Sequence, residues 1–408
     1  MTERAFVRYL NHDGKILFST RLVRLFAYGF LSVVLALYLA QIGLRESAIG
    51  VLFTFTLLGD AGISLWITTW ADRLGRKRML LLGAALMIFA GIVFALTGNF
   101  VLLTLAAIIG VISPSGNEIG PFLSIEQAAL TQIVPNEQRT RVFAWYNLVG
   151  SFATALGALV SGSLAQMLQG NGFTALASYR AIVLGYAAIG LALILLFIRL
   201  SHAIETPTQN KKTLFGLHRS RNVVLKLSAL FALDAFAGGL VVQSLIAYWF
   251  QVRWGVEPAI LGGIFFGANI LAGISALSAV QLAQKIGLIN TMVLTHIPSN
   301  LLLMLVPLMP NLPLAILILL LRFSISQMDV PTRQSYTMAV VEPDERSAAS
   351  GVTTIARSLG SAWAPSITGA LFAASFLSLP FVISGGLKIV YDLIIWKNFS
   401  AVKPPEEK

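Results

Sequence analysis

Eight ionisable side chains fall inside long apolar runs of this chain: Asp60, Glu118, Glu126, Asp234, Arg322, Asp329, Arg333 and Arg357. A charge at the centre of a membrane helix costs about 2.5–3.5 kcal/mol on insertion scales, so each needs a partner or a task. If helical, Glu126 lies roughly 13 Å from Pro135, and Asp234 roughly 18 Å from Asn222. Both are then deep in hydrocarbon. A carboxylate so placed can load and release a proton, and a guanidinium can hold an anionic group or lock a carboxylate. The candidate substrate and proton pathway is therefore Glu118, Glu126, Asp234, Asp329 and Arg333. Asp60 and Arg357 are evenly balanced between simple pairing and a functional role. Arg322 reads as a snorkelling cation. Asn147, Gln243, Asn269, Asn300 and Gln327 read as hydrogen bonds between helices, and Trp145, Tyr248 and Trp249 as interfacial anchors.

Other chemistry is excluded by what the chain lacks. There is no Cys, so disulfides and thiolate metal sites are impossible. The four His residues have no ligand spacing, and no ordered nucleophile–base pair occurs. No Gly-rich phosphate loop ending in Lys-Ser or Lys-Thr is present, which speaks against a nucleotide-driven pump. The expectation is a protein that is not an enzyme and needs no cofactor or metal.

The elements that position these groups follow from composition. The chain has 408 residues, 56% hydrophobic and 12% charged, with mean hydropathy +0.79. A soluble domain carries about twice that charged fraction, so the surface must be covered by lipid. The net charge of +11 does not point to nucleic acid, because the basic residues sit in short loops alternating along the chain. That alternation places both termini in the cytoplasm, with the protein multi-pass in the cell membrane. Nothing near Met1 reads as a cleaved signal peptide, so the first span serves as the insertion signal. The apolar runs give twelve spans, near 25–42, 49–70, 79–98, 101–134, 142–168, 179–197, 222–251, 258–281, 289–309, 313–341, 347–371 and 378–397. Residues 199–221 are polar and basic, a cytoplasmic linker between an amino-terminal bundle (1–198) and a carboxy-terminal bundle (222–408).

An internal repeat supports two halves. Ala71-Asp72-Arg73-Leu74-Gly75 has a degraded counterpart, Ala283-Gln284-Lys285-Ile286-Gly287, 212 positions later, and the acidic turns ending in Arg139 and Arg346 are 207 apart. Spans 4 and 10 are then equivalent, and both are interrupted: span 4 around Gly120 and Pro121, span 10 around Pro331. Corresponding breaks in two halves are the best sequence pointer to a transport site, and these residues are the candidate hinges. The same offset sets Glu126 against Arg333, an acid and a base that could meet as a gate.

The second and third spans are joined by Ala71-Asp72-Arg73-Leu74-Gly75-Arg76-Lys77-Arg78, a tight turn with four cations and one carboxylate. It resembles the loop signature of the major facilitator superfamily of transporters, with Asp72, Arg73, Gly75 and Arg76 as the conformational switch. The resemblance implies an all-α integral membrane fold: twelve transmembrane helices in two pseudo-symmetric six-helix bundles, with the substrate site between them. It also implies that Asp72 holds the inner end of span 11, near Arg346 and Ser347. The sequence departs from the family where Thr68 replaces a Gly, in the lack of a buried Arg in span 4, and in span 5, where Gly150, Gly157 and Gly162 occur without a Gly-Pro pair. The implied function is secondary active transport of a small organic solute by alternating access, with protons as coupling ion and efflux as direction. The expected protein is a monomeric antiporter in the plasma membrane. The alternatives are a proton-coupled importer of a sugar, nucleoside or organic anion, and, further off, a receptor or lipid scramblase.

Overall fold

A computed structural model describes residues 11–118, 120–134, 139–205, 218–342 and 345–399. Among these the regular structure is helical throughout. In chain order the helices are α1 (His12–Ser32), α2 (Leu35–Gln41), α3 (Glu46–Leu74), α4 (Arg76–Leu96), α5 (Phe100–Ile109), α6 (Phe122–Ile133), α7 (Arg139–Gly170) and α8 (Ala175–Ile198). They continue with α9 (Arg221–Gly239), α10 (Gln243–Trp254), α11 (Pro258–Ile286), α12 (Leu288–Leu305), α13 (Leu312–Phe323), α14 (Asp329–Ala339), α15 (Arg346–Ala373) and α16 (Leu379–Phe399). Eight stretches are long and apolar enough to cross a membrane, and α1 with α2, bent by 42°, makes a ninth. The pairs α5–α6 and α13–α14 are spans broken into short pieces, and α15 is 28 residues long but rich in Ser, Thr and Arg. Together these give the twelve passes the apolar runs predict.

The repeat is visible in the geometry. Helices α3 and α11 are each 29 residues long and begin 212 positions apart. Each is followed by a glycine in the left-handed region, Gly75 at φ 99° and Gly287 at φ 86°. Residues with a Cβ resist that conformation. Asn99 and Asn311 cap α5 and α13 alike, their side-chain oxygens accepting N–H bonds of the first turn. Leu96 and Leu308, also equivalent, are 77% and 62% exposed, which lipid would cover.

Four spans are interrupted, not two. Beside α5–α6 and α13–α14, the first span bends at Val33–Val34 and the seventh breaks at residues 240–242. The break in span 10 covers residues 324–328, so Pro331 lies in the first turn of α14. Proline is tolerated there because first-turn N–H groups lack helical partners. Gly120 and Pro121 do close the break of span 4, with Gly120 at φ 78° and Pro121 as the residue before α6.

The chain divides into two compact units. The first comprises Met1–Leu44, Leu58–Asn210 and Gln243–Phe266; the second comprises Arg45–Leu57, Lys211–Val242 and Gly267–Lys408. In the first unit α1 packs along α7 and α8, and α4 along α8; in the second, α9 packs along α15 and α12 along α16. Two crossings bring backbones together. A Cβ on Gly162 would lie 2.2 Å from the Pro258 carbonyl oxygen in the first unit, and one on Gly50 would lie 2.4 Å from that of Pro365 in the second. Trp249 is no interfacial anchor: it is fully buried against Phe250 and Trp254.

Candidate functional site: two buried ionic clusters

The first cluster lies where α1, the broken fourth span and α7 meet. Arg24 is fully buried, and its guanidinium donates to both oxygens of Glu126, each at 2.7 Å. Its Nε donates to Glu118 at 2.9 Å. Glu126, also fully buried, accepts further bonds from Thr20 at 2.8 Å and from the Tyr146 hydroxyl. Arg21 donates to Glu118, and its guanidinium stands 4.7 Å from the Tyr146 ring centre. Arg24 stacks equally close on Phe122. Two cations thus balance two carboxylates, each bond charge-assisted and one pair bidentate. Small residues on α7 make room: a side chain on Gly150 would collide with the Arg21 guanidinium.

The second cluster is centred on Asp234 of α9. Lys388 donates to it at 2.5 Å, Arg357 at 3.2 Å and Arg333 at 3.3 Å. Arg333 also binds Asp329, one helical turn earlier, at 2.6 Å. Asp392 completes the group, 2.9 Å from Nδ1 of His296 and 3.4 Å from Nδ2 of Asn300. His296 presents its other nitrogen to Asp234 at 4.0 Å. Three carboxylates therefore face two guanidinium groups, one lysine amine and one imidazole. Arg357 is the most open of the cations, its side chain 34% exposed.

All five expected pathway residues thus take part in ion pairs. Within its own unit Arg24 holds Glu126, and within the other Asp329 and Asp234 hold Arg333. Asp60 accepts from the backbone N–H of Gly120 at 2.6 Å and from Ser64 at 3.2 Å. Arg322 stacks on Phe323. Arg21, Arg24, His296, Lys388 and Asp392 were not expected at the site. The two arginines read as part of a basic cytoplasmic segment, because no apolar run precedes them. Lys388 and Asp392 carried a usable signal, an i, i+4 charge pair within an apolar run.

The basic turn is more engaged than a solvated loop. The first two backbone N–H groups of α4 point at Glu205, from Arg76 at 2.7 Å and Lys77 at 3.1 Å. Arg76 donates its guanidinium to the Ile204 carbonyl, and Lys77 caps the end of α8 at the carbonyls of Ile198 and Leu200. Arg73 is exposed over Trp70. The side chains of Asp72 and Ser347 lie outside the described residues. At the start of α15, Glu345 accepts N–H bonds from Arg219 and Ser220, both at 2.8 Å, and from His218. No group of His, Asp or Glu that could hold a metal ion occurs among the described residues.

With twelve passes, a two-fold repeat and paired ionic clusters in place, comparison with known proteins decides the family. The family model of the Major Facilitator Superfamily matches residues 17–365. The chain belongs to the Major Facilitator Superfamily. Within it, the chain is 32% identical over 437 aligned residues to the uncharacterized membrane protein YJR124C of Saccharomyces cerevisiae, with 98% of each chain covered. It is 26% identical over 158 residues to the quinolone resistance protein NorA of Staphylococcus aureus, spanning 39% of each. The crystal structure of a bacterial homologue of the human lysosomal transporter Spinster has the same fold. It shows a TM-score of 0.74 at 16% identity over 98% of both chains. Membership of this superfamily makes the chain a secondary transporter of the multi-pass, all-helical kind.

Proposed function

We propose that the protein moves a small organic solute by alternating access, coupled to protons and in the direction of efflux. The observation that carries this reading is the pair of buried ionic clusters attached to broken spans. Removing a charged pair from water is costly, and the fold maintains two such clusters where helices are interrupted. Glu118, Glu126, Asp234, Asp329 and Arg333 form the ionic lining of the pathway in this reading, and the breaks at Gly120, Pro121 and residues 324–328 act as hinges. Efflux is favoured by the likeness to NorA, whose name records drug resistance. The proposed location is the cell membrane with both termini in the cytoplasm, and the proposed working form is a monomer.

A second reading is import of an organic anion. Arg322 favours it: among the described residues this cation beside the break of span 10 makes no salt bridge within 4.0 Å, and its buried Nε has no hydrogen bond. One experiment separates the two. The purified protein is first screened by thermal shift against metabolites and drugs at two pH values, since a ligand that binds the folded state stabilises it by mass action. Hits are then followed in proteoliposomes under an imposed pH gradient. Saturable flux against the gradient, abolished by a protonophore, supports antiport; flux with the gradient supports import. A panel without any saturable flux would sink both.

A further inference from the structure

Among the intramembrane carboxylates described, Asp60 stands apart. Glu118, Glu126, Asp234 and Asp329 each bind a guanidinium or ammonium group, and Asp392 binds an imidazole. Protonating any of the first four would leave a buried cation without its counter-charge. Asp60 has no cation partner among the described residues. Among the described residues its hydrogen bonds, from Gly120 N–H and Ser64 hydroxyl, converge on Oδ1, and Oδ2 accepts none. The residue is half-buried, so Oδ2 is an open seat for one proton.

Its position gives that proton something to move. The neighbouring Gly59 lies directly on the end of α5, where a Cβ would stand 2.3 Å from the Ile108 carbonyl oxygen. Asp60 itself reaches Gly120, where the chain turns with φ 78° into α6. One turn of α3 therefore touches both margins of the interrupted fourth span. Among the described residues, the ionisable groups that act on Asp60 are Glu118 from the break, Tyr28 from α1 and Tyr186 from α8, none of them a cation. Tyr186 is itself tied to the break, its hydroxyl donating to the Val111 carbonyl at 2.5 Å.

We propose that Asp60 binds the coupling proton and that its charge state sets the hinge at residues 110–121 through the Gly120 N–H. A proton from water joins Oδ2, one negative charge disappears, and no other bond is made or broken. The bond from Gly120 then changes from charge-assisted to neutral, about half as strong. The start of α6 is released to move, carrying Glu126 and its partners. This inference rests on the transport reading for its purpose, though not for its test.

The test is hydrogen–deuterium exchange of the 110–121 peptide in nanodiscs at pH 5.5 and 8.0, with rates corrected for the intrinsic pH dependence. In the wild type, exchange should be about five- to tenfold faster at the lower pH, as expected when a charged acceptor becomes neutral. Asp60→Asn keeps an acceptor for Gly120 and cannot titrate, so its corrected rate should be equal at both pH values. Asp60→Ser serves if the first variant does not fold. A wild type without a pH response overturns the proposal, as does a variant that keeps it. Flux of the best solute from the panel is then measured in parallel. If the wild type moves nothing yet shows the Asp60-dependent response, transport fails and the proton site stands. If Asp60→Asn still couples flux to the pH gradient, the proton site fails and transport stands.

Discussion

At the residue scale, the deciding fact about Arg24 is that its guanidinium is out of water and wholly committed to two carboxylates. Removing one member of a buried ion pair leaves the other charge uncompensated, which costs about 3–5 kcal/mol, whereas replacing both by apolar groups of similar size is often neutral. Arg24→Met should therefore lower the unfolding midpoint sharply. The double change Arg24→Met with Glu126→Met should recover much of it, capped by the lost bonds of Arg24 to Glu118 and of Glu126 to the Tyr146 and Thr20 hydroxyls. Thermal unfolding in detergent reads the difference; a double variant no better than the single one would show that the pair is not the dominant partner. Arg24 also marks a limit of sequence reading. It follows eight residues after Ile16 in a stretch dense with cations, and only the start of α1 at His12, capped by Asn11, turns that stretch into the buried foot of a span.

At the element scale, much of the frame was legible because glycine, proline and asparagine act through local backbone physics. The turn at Gly75, its relic at Gly287 and the break at Gly120 and Pro121 all appear where the sequence placed them. The bends at Val33–Val34 and at residues 240–242 were not anticipated, since neither contains a proline, although Gly238 and Gly239 close α9 just before the second. The close crossing at Gly162 and Gly262 could not be read either, because small residues face a neighbour that sequence does not identify. Gly262→Ala should lower stability by about 1–3 kcal/mol, the usual cost of overpacking, since the new Cβ would stand 2.8 Å from the Ala158 carbonyl oxygen. Gly263→Ala, beside it with open space around its Cβ position, should be neutral or slightly stabilising by helix propensity. Equal effects from the two would refute the crossing. The linker's far end offers a pH test. Burial would push the Glu345 acid up, but bonds from Ser220, His218 and Arg219 outweigh it and hold the carboxyl at about 2 instead of 4.5. The folded state therefore binds fewer protons than the unfolded one between these values, so the contribution is complete above pH 4.5 and fades as pH falls towards 2. Glu345→Gln should be less stable than wild type at pH 7, with the gap in unfolding temperature narrowing by pH 3.5. A gap that stays constant would exclude the carboxylate as its source.

At the scale of the whole molecule, the charges are balanced unit by unit. Arg21 and Arg24 answer Glu118 and Glu126 within the first unit; Arg333, Arg357 and Lys388 answer Asp234 and Asp329 within the second, where His296 faces Asp392. The sequence offset that set Glu126 against Arg333 gave no sign of the partners each has within its own unit, because those come from helices distant in sequence. A thermodynamic cycle follows. Changes within one unit share a network and should be strongly non-additive: Arg24→Met with Glu126→Met should differ from the sum of the singles by roughly 1–3 kcal/mol. Reversible unfolding of wild type, the two single variants and the double variant in mixed micelles gives this coupling. Singles that simply add would mean that Arg24 and Glu126 do not share one network in solution, and the account of a self-neutralised cluster in the first unit would have to give way.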